Sequence, residues 1–468
     1  MNIKNITKVS VIAACAVSAL MLTGCDSDAT EGIYAQMLTA QTSVSYTTKQ
    51  LTGYISNGTG SSFLSLEDTG IYKVTEGTTT DADTLISTPN NSVVRTKIIK
   101  SVHTLDNGTK QQIASIYSPE DEGIFELYYI LGNSGDIDVE DATADSRHAK
   151  LYRYSSSSSS TDPLTAGTAL SNPTDYNYYP QYFTANNYLV GLKNTTYETD
   201  KEETEQYVTE KTLALLDAST FDSSDTEIGW DTIDSDKLLP IDTDGGYGLS
   251  SVVPVLDATQ ETTYATDTPF VVTIADSNTD EHYYSFYLYD STSGFSSELN
   301  SEGGDGTDDA IEYDLVSAAE TGDGTIIGVL KNGDMVYISD TTVKEFDPGA
   351  NYSFTYGGPR PSFLINNDDE AYLIIMDTSS DMIVYKFSSS SAPTSKTSKS
   401  GVSISCVTNG YASDLSGTDE ISSFIKLDTK KYVVATTSCG YYTITFSDDP
   451  TDGDGTGYAS VEGIDFSE

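Results

Sequence analysis

The feature that most constrains the fold is a rhythm: short apolar runs rich in Val, Ile, Tyr and Phe recur between clusters of Gly, Asn, Asp and Ser. Runs this short favour strands, since a helix needs about 10–12 residues to bury a stripe. Residues 92–105 and 111–117 flank Asn107-Gly108, and residues 325–330 and 335–338 flank Asn332-Gly333. Asn-Gly between apolar runs is a strong hairpin signal, because both residues tolerate the positive φ of a type I′ turn. The same plan pairs 124–131 with 149–154, 188–193 with 212–216, and 270–275 with 283–289. It also pairs 371–376 with 382–387, and 432–437 with 441–446.

Several runs, such as Tyr372-Leu373-Ile374-Ile375-Met376 and Tyr432-Val433-Val434, are apolar without alternation. Such strands are covered on both faces. The 33 Tyr suit strands with one wet and one buried edge. Repeated hairpins with covered faces predict an all-β fold, a β-propeller whose four-stranded blades are each sandwiched between neighbours.

The pattern resembles degenerate propeller repeats. Segments 213–220, 253–260 and 286–294 carry Leu-Asp-Ala-Ser, Leu-Asp-Ala-Thr and Leu-Tyr-Asp-Ser-Thr stretches. These are similar to the strand-to-turn of quinoprotein-type repeats, although Trp230 is the only Trp present. Strand pairs beginning near 188, 270, 325, 371 and 432 are mostly spaced more widely than a blade of about 40–50 residues, so loops are inserted. About seven blades are expected over residues 46–468, with tandem β-sandwiches as the alternative. A closed ring also requires the last strands to meet an early one, since a bare edge is otherwise left. Low-complexity segments 155–160, 303–309 and 388–399 read as exposed loops, and 200–205 as a charged insertion able to form a helical turn.

The N-terminus carries a different message. Lys4 and Lys8 precede a mostly apolar stretch at 9–21, too short for a stable span of the hydrocarbon core but of the size of a secretory h-region. The following Leu22-Thr23-Gly24-Cys25 resembles the lipobox of bacterial lipoproteins. The resemblance implies cleavage after Gly24, a diacylglyceryl thioether on Cys25 and acylation of its amine. It divides the chain into a signal at 1–24, a tether at 25–45 and a body at 46–468. It also places the body on a cell-envelope membrane. Asp26 resembles an inner-membrane retention signal in one group of bacteria. In others, acids such as Asp26, Asp28 and Glu31 resemble a cue for surface display.

The whole chain has a formal charge of −47, and loss of the signal removes two Lys and no acid. Such a charge repels phosphate backbones and anionic headgroups, so nucleic acid is not an expected partner. Of the 4 Cys, Cys15 leaves with the signal and Cys25 takes the lipid. Cys406 and Cys439 remain as an even pair in an oxidising compartment and are expected to form a disulfide.

Catalytic spacings are scarce. His103, His148 and His282 stand in unrelated contexts, and no His-x-x-x-His, Cys-x-x-Cys, Gly-x-Ser-x-Gly or Gly-x-x-x-x-Gly-Lys pattern occurs. Asp452, Asp454 and Thr456, followed by Gly457, resemble the opening of a calcium loop, although the twelfth position is Gly463 and Glu462 falls one residue early. Tyr176, Tyr178, Tyr179 and Tyr182, around Pro173 and Pro180, form an aromatic cluster suited to stacking on a ligand or anchoring a partner. The expected function is a lipid-anchored envelope binding or scaffolding protein, with a protein or carbohydrate ligand. The alternative is an envelope carbohydrate-active enzyme using paired carboxylates.

Overall fold

Among the described residues of a computed structural model, thirty strands form six sheets. The structure describes residues 48–56, 61–76, 93–105, 110–119, 126–133, 149–154, 159–173, 178–198, 207–242, 247–257, 264–276, 283–301, 310–320, 325–346, 362–365, 371–376, 382–389, 402–406, 421–428, 431–437, 441–446 and 459–463.

The first sheet is a meander of β1 (Thr48–Ser56), β2 (Ser61–Glu67), β3 (Gly70–Glu76) and β4 (Val93–Lys100). The second runs β5 (Val102–Thr104), β6 (Lys110–Tyr117), β7 (Tyr128–Asn133), β8 (Lys150–Tyr154) and β9 (Gly167–Ala169), with one helical turn, α1 (Pro163–Ala166), before its last strand. The third holds β10 (Tyr179–Phe183), β11 (Tyr188–Glu198), β12 (Tyr207–Asp217) and β13 (Leu239–Asp242). A nine-stranded sheet follows. Its first meander is β14 (Tyr247–Asp257), β15 (Phe270–Asp276), β16 (Tyr283–Asp290) and β17 (Gly294–Phe295). After β18 (Asn300–Ser301), its second is β19 (Leu315–Glu320), β20 (Ile326–Leu330), β21 (Met335–Ile338) and β22 (Thr342–Phe346). A parallel pairing of Val255–Asp257 with Ala318–Glu320 joins the two meanders. The fifth sheet is β23 (Ser362–Ile365), β24 (Ala371–Met376), β25 (Met382–Ser389) and β26 (Val402–Cys406). The sixth is β27 (Ile421–Asp428), β28 (Lys431–Thr436), β29 (Tyr441–Phe446) and β30 (Ala459–Gly463).

Every sequence-paired set of runs is a paired set of strands, because continuous apolarity leaves no face that water could occupy. The cores show what covers them. Leu64 and Ile71 of the first sheet pack with Ile116 and Tyr129 of the second. Tyr128 and Leu151 pack with Leu189 and Trp230 of the third, and Leu213 and Val190 pack with Phe270 and Val272. Val271 and Phe286 meet Ile326 and Leu330 within the nine-stranded sheet. Ile327 and Phe346 meet Phe363 and Leu373, and Leu364 and Ile374 meet Val434 and Ile444. Val433 and Tyr441 of the last sheet then pack against Leu51, Phe63 and Val74 of the first. This is a propeller-like, all-β arrangement within a unit spanning Tyr46–Glu468.

Two details refine the sequence reading. The last strands meet an early one, but among the described residues they do so by packing of sheet faces and not by strand pairing, because a blade's bare edges point along the radius and its faces meet the neighbours. The turn at Asn332-Gly333 is also not type I′. Gly333 alone has positive φ (92°), its N–H donates to Leu330 O, and Leu330 N–H donates to Asp334 O. That is a three-residue loop, a type I turn followed by a left-handed Gly. Asn107-Gly108 and the low-complexity segments 155–158, 303–309 and 390–399 lie outside the described residues, as does the insertion at 200–205.

The three segments with shared Leu-Asp character are not equivalent. Asp217 and Asp290 both end the third strand of a meander, where their carboxylates accept turn N–H groups from Ser219, and from Thr292 and Ser293. Asp257 instead ends an innermost strand and is fully buried.

Candidate functional site: an axial cavity

The strands β1, β6, β10, β14, β19, β23 and β27 all border one cavity of about 330 Å³. Local irregularities shape them. Among the described residues, β1, β6, β10, β14, β19 and β27 each carry a register shift on the strand's cavity stretch or beside it. A bulge bends its strand and re-aims the side chain beside it. In four of these strands the residue after the extra one is a serine: Ser115, Ser251, Ser317 and Ser423.

Those hydroxyls latch one inner strand to the next. Ser115 Oγ accepts from Phe183 N–H (2.9 Å), Ser317 Oγ from Phe363 N–H (2.9 Å) and Ser423 Oγ from Leu51 N–H (3.1 Å). Ser251 Oγ lies 3.0 Å from Asp314 Oδ1 and 3.2 Å from Leu315 O, both acceptors at the start of β19. On β1 the part falls to Thr52, whose Oγ1 accepts from Ser118 N–H at 3.1 Å. Each bond occupies a backbone group on an inner edge that sheet pairing leaves unmatched. The sequence carried this signal unread: Ile/Leu-x-Ser followed by two apolar residues recurs at 113–117, 249–253, 315–319 and 421–425.

Gln50 adds a second tie. Its Oε1 accepts from Ser115 Oγ (2.7 Å) and Ile116 N–H (2.9 Å), and its Nε2 donates to Phe183 O (3.4 Å). Four aromatic residues belong to the wall: Tyr182 and Phe183 from β10, Tyr264 from the segment after β14, and Phe424 from β27. Lys49 is the charged residue of the described lining, and its Nζ lies 3.1 Å from a carboxylate oxygen of Asp68. The wall can therefore offer aromatic faces, hydroxyls and backbone amides to a ligand.

The tyrosine cluster is split by the fold. Tyr178 is buried, its ring 5.7 Å from that of Trp230 with Lys193 Nζ over it at 6.0 Å, and burial raises its phenol above the usual range. It is core, which corrects its expected role in stacking, because Trp230 offers it a larger apolar face than any loop would. Tyr179 and Tyr182 stand half-buried on β10, with Tyr182 alone at the cavity, and Tyr176 lies outside the described residues.

Cys25, Cys439, Asp452, Asp454 and Thr456 also lie outside the described residues, and Cys406 ends β26. His103 Nδ1 sits 2.9 Å from both carboxylate oxygens of Asp162, which caps α1 through Leu164 N–H. His148 and His282 are outside the described residues. Among the described residues, no cluster of His, Cys, Asp and Glu could hold a metal ion, and no helix is long and apolar enough to cross a membrane.

No family model matches the chain, and no curated protein matches it. It is similar in fold to a solved structure described as YCF48 bound to D1 peptide, at 7% identity and a TM-score of 0.36, covering 86% of this chain and 94% of that one.

Proposed function

We propose that this chain is a lipid-anchored binding module of the bacterial cell envelope, with its ligand site at the axial cavity. The observation that carries the reading is the wall itself: each meander sends an innermost strand to one cavity that presents rings, hydroxyls and amides. Pockets with an apolar wall and a few convergent polar groups are the usual form of a small-ligand site. The carbohydrate-enzyme alternative needs paired carboxylates, and the described lining supplies none. The anchor rests on Leu22-Thr23-Gly24-Cys25 and on the h-region before it.

The proposed ring has seven blades, with the nine-stranded sheet read as two. Its meanders β14–β17 and β19–β22 enclose a core of their own and meet edge to edge over a three-residue parallel pairing. Seven separate cores between successive meanders support that count.

A photo-activatable residue in place of Lys49, in full-length protein in its own envelope, tests the site. Adducts are expected from position 49 and not from the exposed position 231. Equal labelling from both, or none from 49, would refute the cavity as the binding site.

A further inference from the structure

We propose that the axial cavity takes a neutral saccharide, an inference that rests on the binding-module reading above. Its first support is charge. In a chain of formal charge −47, the described wall has Lys49 as its charged group, and Asp68 already pairs with it. The field of the whole molecule opposes the approach of an anion. A cation would require carboxylates that the described wall does not present.

The second support is the hydrogen-bonding pattern. Of the innermost strands, β1, β10, β23 and β27 are paired along one edge, while β6, β14 and β19 are paired on both over part of their length; an unpaired edge offers donors and acceptors in turn. A hydroxyl both donates and accepts, so a polyol can match such an edge where a purely accepting or purely donating ion cannot. An extended peptide would also match, by adding a strand. Here, though, the N–H groups of Leu51, Ile116, Phe183 and Phe363 are already taken by Ser423, Gln50, Ser115 and Ser317. The ladder a peptide needs is therefore interrupted at the level of the cavity.

The third support is shape. The aromatic residues of the lining, Tyr182, Phe183, Tyr264 and Phe424, come from three different parts of the ring, with Tyr182, Tyr264 and Phe424 half-buried beside the neighbouring cores. Flat rings suit the C–H faces of a pyranose, and a phenol adds a polar tip. A volume of about 330 Å³ stands at the small end of ligand pockets, about 300–1,000 Å³. That fits a short saccharide or the end of a longer one.

The test is titration calorimetry of detergent-solubilised full-length protein. The probes are neutral cello-, malto-, manno- and chito-oligosaccharides and the matching uronic-acid oligomers. The expected result is binding of at least one neutral series, with uronates at least tenfold weaker. Affinity should change less than twofold between about 0.05 and 0.5 M NaCl, because no ion pair is involved. Tyr182→Leu and Phe424→Leu, which keep most of the volume, should each weaken binding at least tenfold with the thermal midpoint retained. No binding of any neutral series by folded protein would overturn the inference, as would a salt-sensitive preference for uronates or indifference to both substitutions. Photo-adducts from position 49 to a protein, without saccharide binding, would sink this inference and leave the binding-module reading standing. Consumption of the bound saccharide would overturn that reading instead.

Discussion

Tyr441→Phe removes one oxygen from the seam where the last sheet meets the first. Tyr441 is 2% exposed, and its hydroxyl donates to Glu67 Oε1 at 2.9 Å, with Ser65 Oγ also in contact. Burial and the neighbouring Glu67 push the phenol far above its ordinary range, so it is a donor at every ordinary pH. The ring itself stays packed edge-on to Phe63, centroids 5.8 Å apart, so the substitution costs no apolar contact. What is lost is a hydrogen bond to a buried carboxylate, about 1.5–3 kcal/mol. Tyr337→Phe is the matched control. It deletes the same atom from a neutral bond to Thr325 Oγ1 (3.0 Å) inside one meander, for about 0.5–1.5 kcal/mol. Urea unfolding followed by tyrosine fluorescence gives both values from the midpoint shifts. If Tyr337→Phe costs as much as Tyr441→Phe or more, the seam is not held as argued.

Gly328→Ala should destabilise by about 1–3 kcal/mol by overpacking, since a Cβ there would sit 2.4 Å from Leu315 Cδ1 and 2.8 Å from Val336 Cγ2; an unchanged urea midpoint would contradict that packing. Burial raises Tyr128 and Tyr289 to about 12. Unfolded phenols lose their protons near pH 10 while these keep theirs, so their contribution is complete below about pH 10 and falls by about 1.4 kcal/mol per group per pH unit between about pH 10 and 12. Alkaline difference spectroscopy should show these phenols ionising about two pH units above exposed ones, or with unfolding where that comes first. Cys25→Ser should abolish acyl mass on the N-terminal peptide and release the body from membranes, and a wild-type peptide without acyl mass would refute the anchor. Alkylation of the unfolded, unreduced protein should find neither Cys406 nor Cys439 free; two labelled thiols would exclude their disulfide.

Strand positions were readable because continuous apolar runs such as 371–376 have a single stable placement, inside a stack of sheets. Turn detail was less so: Asn332-Gly333 is compatible with two loop geometries, and flanking residues such as Asp334 decide between them. The cavity was hidden for a different reason. It is assembled from residues more than 300 positions apart, such as Gln50 and Phe424, and no local pattern measures that distance. Ser115 and its three counterparts look like ordinary strand polar residues until the bulge before each one is seen. Tyr178 misled in the opposite sense, since a tyrosine beside prolines reads as loop surface until its contact with Trp230 is known.

The closing seam has a consequence for how such a chain can be cut. Since, among the described residues, no strand pairing joins the last sheet to the first, and side chains join most other neighbours, the molecule treats its beginning and end as one more boundary between equals. A circularly permuted gene that links position 463 to position 48 through a flexible spacer, and opens between β22 and β23, would put no hydrogen-bonded strand pair at risk. The joint between β14 and β19 differs, as do the smaller ones between β18 and β22 and between Ser171 and Glu227. Between β14 and β19 three backbone pairs stitch neighbours together, and a cut there would separate what the backbone holds.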